Sequence, residues 1–116
     1  MNTSPPIDPL LQPVIQIFIR ELKSHLVYFQ NLVNEIEKKN PSSSALTEII
    51  NILVHRFHQI KGGAGFLQLE ELKQFAKETE DFLKNQNDIA LIKEKLKEAT
   101  TFLKQQHQML TDQSQS

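Results

Sequence analysis

One stretch of this chain gathers the residue types that could do chemistry: His55-Arg56-Phe57-His58-Gln59-Ile60-Lys61-Gly62-Gly63-Ala64-Gly65. A neutral imidazole keeps one ring nitrogen protonated and the other free, and the free one is a nucleophile near neutral pH. To attack phosphorus it must be exposed, oriented and held in one tautomer. A carboxylate bonded to the other N–H would fix tautomer and orientation together. A nearby cation would offset the charge of about −1.5 to −2 that a phosphoryl group brings. Lys61, one helical turn from His58, is placed for that role.

All three glycines of the chain lie in this stretch. Apolar residues recur at Leu46, Ile49, Ile50, Leu53, Phe57, Ile60 and Ala64, the three-and-four spacing of one buried helix face. His58 lies about 100° around from Phe57 and shares a stripe with Asn51, His55, Gly62 and Gly65. Each glycine costs about 1 kcal/mol relative to alanine if the helix continues through it. Two readings fit. Gly65 could be a left-handed cap that ends the helix. Alternatively, Gly62, Gly63 and Gly65 could leave a clearing beside His58 and His55 where a partner's active site approaches the ring. Both can hold at once.

Plainer readings stand beside these. An exposed histidine with a lysine three residues on is common on surface helices. His55 and His58 could form a metal pair at helical spacing, although no cysteine is available and no acid adjoins their stripe on the same helix. His25 and His107 sit in ordinary amphipathic contexts, as surface or satisfied residues. Lys61-Gly62-Gly63 is not a nucleotide phosphate loop, because the lysine precedes the glycines and no Ser or Thr follows a Gly-Lys pair.

The elements that must position this stretch read as helices, since no segment alternates with the period of a strand. Residues 1–7 are expected to form a flexible arm. Asp8 caps a short N-terminal helix with Pro9 in its first turn, and Pro13 stops that helix from running straight on. A long helix is predicted from about Val14 to Lys38, with Ile15, Phe18, Ile19, Leu22, Leu26, Phe29, Val33 and Ile36 inward. Asn40-Pro41-Ser42-Ser43-Ser44 is a loop, and Ser43 or Ser44 caps a second helix starting near Ala45. Phe66-Leu67-Gln68 forms a tight connection to a third helix, about Leu69–Lys84, with Leu72, Phe75, Ala76, Thr79, Phe82 and Leu83 inward. Asn87 or Asp88 caps a fourth, about Ile89–His107, with Ile89, Ile92, Leu96, Ala99, Leu103 and Leu110 on its stripe. Residues 111–116 read as a frayed polar tail. The expected fold is all-α: an antiparallel up-down four-helix bundle over residues 8–110 with a short extra N-terminal helix.

The 116 residues suit one domain, with 39% hydrophobic and 23% charged content. A net charge of −1 with both signs interspersed argues against nucleic acid. No apolar run approaches the ~18 residues of a membrane span. The start shows no signal-peptide pattern. Together with the absence of cysteine, this suits the cytoplasm.

The run His58-Gln59-Ile60-Lys61-Gly62-Gly63-Ala64-Gly65 resembles the motif of histidine phosphotransfer (HPt) domains, which are helical bundles. Its Gly-Gly-Ala-Gly form is especially similar to CheA-type phosphotransfer domains. The resemblance covers about Leu10 to Leu110. It implies that His58 is the phosphorylated histidine, that Lys61 is its accompanying lysine, and that Gly62 gives the partner room. It also implies a glutamate from the following helix orienting the ring, a position that falls on Glu80; without the resemblance Glu80 reads as a solvated helix residue. Two departures stand out. Gln68 replaces a glycine common at the end of the motif, so the turn should be built differently. Lys77 replaces a second histidine, which would put both Lys61 and Lys77 near the phosphoryl group.

The resemblance implies a phosphorelay carrier without an ATP site, either free-standing or cut from a larger kinase. Its partners would be a sensor histidine kinase and a response-regulator receiver domain. Mg²⁺ is expected on the receiver, with no cofactor on this chain, no membrane partner and a monomeric state. The rivals are a non-phosphorylated interaction module and a metal-binding bundle using His55 and His58.

Overall fold

The computed structural model describes residues 8–114. The arm expected at residues 1–7 lies outside them, as do the last two residues of the expected tail. A 3₁₀ turn, Pro9–Leu11, precedes four helices: α1 (Gln12–Lys38), α2 (Ser43–Phe66), α3 (Glu70–Lys84) and α4 (Ile89–Ser114). The 27 residues of α1 make a rod about 40 Å long. The molecule measures 47 × 26 × 23 Å, so the helices run along its long axis. Connections of three or four residues reverse the chain each time. This is the expected four-helix bundle. Among the described residues no helix is long and apolar enough to cross a membrane.

The amphipathic stripe of α1 is buried as its spacing predicts, from Ile15 through Ile36. From α2 come Leu53, Phe57, Ile60 and Ala64. They meet Leu72, Ala76 and Leu83 of α3 and Ile92, Leu96, Ala99, Leu103 and Leu110 of α4 in one core. Two ring stacks fix the register. Phe29 of α1 lies on Phe57 of α2 at 4.7 Å, and Phe75 of α3 lies on Phe102 of α4 at 4.2 Å. The expected inward Phe75 and Phe82 are only partly buried and pack against the core from its rim. The closest helix pairings are α2 with α3 and α1 with α4.

Several boundaries differ from the sequence expectation. Asp8 caps the short first turn as expected, its carboxylate accepting from the Leu10 N–H. The short turn stays separate from α1 as expected, but α1 begins at Gln12 rather than near Val14, because Pro13 fits in its first turn, where its missing N–H has no intrahelical partner to lose. Ser42, rather than Ser43 or Ser44, caps α2: its hydroxyl accepts from the Ala45 N–H. Asp88 caps α4 through the Ala90 N–H. That helix runs past His107 to Ser114, because Leu110 is buried and holds the extra turns against the core.

The end of α2 is the largest correction. The helix passes through all three glycines, and none has positive φ. Gly65 is therefore not a left-handed cap. Gln68 takes that conformation instead, with φ of 60°. The Leu69 N–H reaches back to the Ala64 carbonyl at 2.8 Å and the Gln68 N–H to the Gly65 carbonyl at 3.1 Å. These two bonds are the Schellman pattern. The turn is thus the ordinary glycine turn, made with a glutamine.

Candidate functional site

α2 brings His58 to the surface because Phe57 and Ile60 on either side are drawn into the core. The His58 side chain is 62% exposed. Across the α2–α3 seam, Glu80 is buried, its side chain only 4% exposed. Its place on α3, flanked by the buried Thr79 and one turn before the buried Leu83, turns it toward α2. Glu80 Oε2 lies 3.3 Å from His58 Nδ1 and 3.1 Å from Lys84 Nζ, and Oε1 lies 3.1 Å from Lys61 Nζ.

One buried carboxylate therefore meets an imidazole and two ammonium groups. Burial pushes the Glu80 carboxyl up, but the Lys61 and Lys84 ammoniums outweigh it and hold the group below the usual carboxylate range. The buried charge is tolerable because it is paired on both oxygens. Lys61 is 28% exposed and Lys84 53% exposed, so both ammoniums can also be reached from solvent beside the ring.

The model of the Hpt domain family matches residues 13–113. The chain belongs to the Hpt domain family. Neither the curated proteins nor the solved structures compared with the chain gave a match. Hpt domains are histidine carriers of phosphorelays in two-component signalling, not kinases with an ATP site of their own, and they interact with kinase and receiver domains.

In this Hpt domain the expected site residues fall into distinct groups. His58, Lys61 and Glu80 come together as described. Gly62 is exposed, and a Cβ built on it would meet nothing within 4 Å. Gly65 would place a Cβ 3.6 Å from the Lys73 side chain, an ordinary contact. Gly63 is different: its Cβ would stand 2.6 and 2.7 Å from two carbons of the Phe18 ring. Its bare backbone lets α1 approach α2, so packing alone accounts for this glycine. His55 is exposed on the outer side of α2. Among the described residues no three His, Asp or Glu side chains cluster as a metal site.

Lys77 does not join the cluster. It pairs with Asp81 at 3.5 Å on the surface, and Lys84, one turn beyond Glu80, is the second lysine on the Glu80 carboxylate. Sequence reasoning missed Lys84. Its i,i+4 spacing from Glu80 was the available signal, but that spacing means little until the glutamate is known to be buried.

His25 is a satisfied residue. Its Nδ1 accepts from Arg56 Nη1 at 2.9 Å, since a guanidinium can only donate. Arg56 also lies over the Tyr28 ring at 3.8 Å. Burial, then the Arg56 and His55 charges, pull the His25 pKa from 6.5 down to about 4. Burial and Lys23 lower that of His107 as well. His25 is thus a neutral part of the scaffold.

Proposed function

We propose that His58 takes up a phosphoryl group and exchanges it with the aspartate of a response-regulator receiver domain. The observation that carries this reading is the contact between the exposed His58 ring and the buried, lysine-flanked Glu80. A carboxylate at Nδ1 favours the tautomer with the proton there, which leaves the Nε2 lone pair as the nucleophile. Nε2 attacks phosphorus, the P–O bond to the receiver aspartate breaks, and that carboxylate leaves. Nδ1 keeps its proton throughout, and Glu80 balances the positive charge the ring acquires.

Phosphoryl transfer asks mainly for position and charge compensation. Lys61 supplies charge on this side, and Mg²⁺ on the receiver would supply the rest. The exposed Gly62 offers no side chain to obstruct a partner, and the docking face extends to His55 and Gly65. A sensor histidine kinase is the other partner in this reading. Within the family, the Gly62-Gly63-Ala64-Gly65 run and a glutamate at the ring favour the CheA-type form. The domain acts as a cytoplasmic monomer.

The test is incubation with a panel of phosphorylated receiver domains. Label should move to the wild-type chain from at least one receiver and to His58→Gln from none, with the helical signal unchanged. Label on His58→Gln would overturn the assignment.

A further inference from the structure

Lys84 is the member of the cluster that the reading above leaves without a task. Its ordinary explanation is an i,i+4 partner for Glu80 in the last turn of α3, where a cation also suits the helix dipole. Two observations go beyond that. First, Lys84 binds the same oxygen, Oε2, that faces His58 Nδ1, whereas Lys61 binds Oε1. Second, Glu80 carries one negative charge and faces two lysines, so the two lysines and the carboxylate leave a surplus positive charge beside the exposed imidazole. A surplus cation with half of its side chain in solvent is free to serve another anion.

We propose that Lys84 is a second phosphoryl-binding residue, which gives up Glu80 Oε2 for the phosphoryl oxygens when His58 is loaded. The proposal rests on His58 being the carrier. Phosphorylation at Nε2 with Nδ1 still protonated makes the ring cationic, and its N–H becomes a stronger donor to Oε2. Lys84 is then the weaker competitor for that oxygen. At the same moment a group of charge about −1.5 to −2 appears on the ring that this oxygen faces, a stronger attraction than one carboxylate already shared by three donors. Lys61, more enclosed and alone on Oε1, stays to hold Glu80. The lysines thus divide the work: Lys61 anchors the carboxylate, and Lys84 moves between carboxylate and phosphoryl group.

The test uses the full chain and phosphoramidate as donor, so no partner need be known. In that reaction Nε2 attacks phosphorus, the donor N–P bond breaks and ammonia leaves, so loading at fixed phosphoramidate and ammonium gives an equilibrium constant. Phosphorus NMR reads the loaded fraction. Lys84→Met should lower the constant about tenfold, the scale of one charge-assisted hydrogen bond near a surface. Lys84→Arg should return it to within about threefold of wild type. A purely structural lysine would leave the constant unmoved, because a change in folding stability common to loaded and unloaded protein cancels from the loading equilibrium. If wild type loads and Lys84→Met loads equally, or if Lys84→Arg stays as low as Lys84→Met, the role of Lys84 is overturned while His58 stands. If wild type does not load at all, it is the reading of His58 that falls.

Discussion

Glu80 Oε2 and His58 Nδ1 stand 3.3 Å apart, one on a buried carboxylate and the other on an exposed ring. That relationship divides the labour of the two ring nitrogens. The inner one is tied to the scaffold and the outer one is left to solvent and partners. In the proposed transfer, Glu80 would act through the ring it faces. Glu80→Ala should therefore slow phosphoryl transfer by about 10- to 100-fold, the range seen when an orienting partner is removed, without abolishing it. Single-turnover transfer rates check this; wild-type rates would mean that the carboxylate does not govern the ring.

The three glycines should respond differently to substitution. Gly62 has open space where a side chain would go. Gly62→Ala should stabilise the helix by up to about 1 kcal/mol, whereas Gly62→Leu should block transfer without unfolding the protein. Gly63→Ala drives a methyl group into the Phe18 ring, and Phe18 is itself buried and cannot swing away. That overpacking should outweigh the helix gain and leave a net loss of about 1–2 kcal/mol. Thermal melting separates the two positions, and transfer assays on Gly62→Leu test the clearing.

Gln68 is the chain's left-handed non-glycine residue among those described, with φ of 60°. An L-residue there costs roughly 1 kcal/mol that glycine does not. Gln68→Gly should raise stability by about 0.5–1 kcal/mol, partly offset by the greater freedom of glycine in the unfolded chain. Urea midpoints measure the difference, and a destabilised variant would contradict the turn described above.

Acid should weaken the fold in two steps. The folded pKa of His25 is about 4 against 6.5 for the free group, so the unfolded chain binds that proton first. The contribution of His25 is complete above pH 6.5 and falls between 6.5 and about 4, by about 1–2 kcal/mol once solvent screening of the half-buried ring is allowed for. Glu80 is also depressed, from 4.5. Its contribution is present above pH 4.5 and is lost as the pH falls below it. Melting temperatures of His25→Gln should be flatter than wild type between pH 6.5 and 4 and should still drop below 4.5. A wild-type curve that is flat down to pH 5 would contradict the neutral, Arg56-bound His25.

The helices were legible because their apolar stripes are long and uninterrupted: all eight inward residues expected of α1 are buried. The end of α2 was not, because three glycines in four positions imitate a stop signal. What carries the chain through them is tertiary, with Ala64 and Leu67 buried in the core. The cap was ambiguous among three consecutive serines, and side-chain spacing could not choose between them. At the site, His58 and Lys61 could be read from helical spacing, and Glu80 from resemblance. The burial of Glu80, the capture of Lys84 and the contact of Gly63 with Phe18 depend on how closely α2 approaches its neighbours. Local pattern does not encode that distance.

The most direct measurement is the position of the phosphoryl group on the ring. After transfer from a phosphorylated receiver, nitrogen and phosphorus NMR of the chain labelled at histidine distinguishes the two ring nitrogens. The account predicts phosphorylation of His58 at Nε2 with Nδ1 still protonated. Phosphorus on Nδ1, on another histidine, or on none would contradict it.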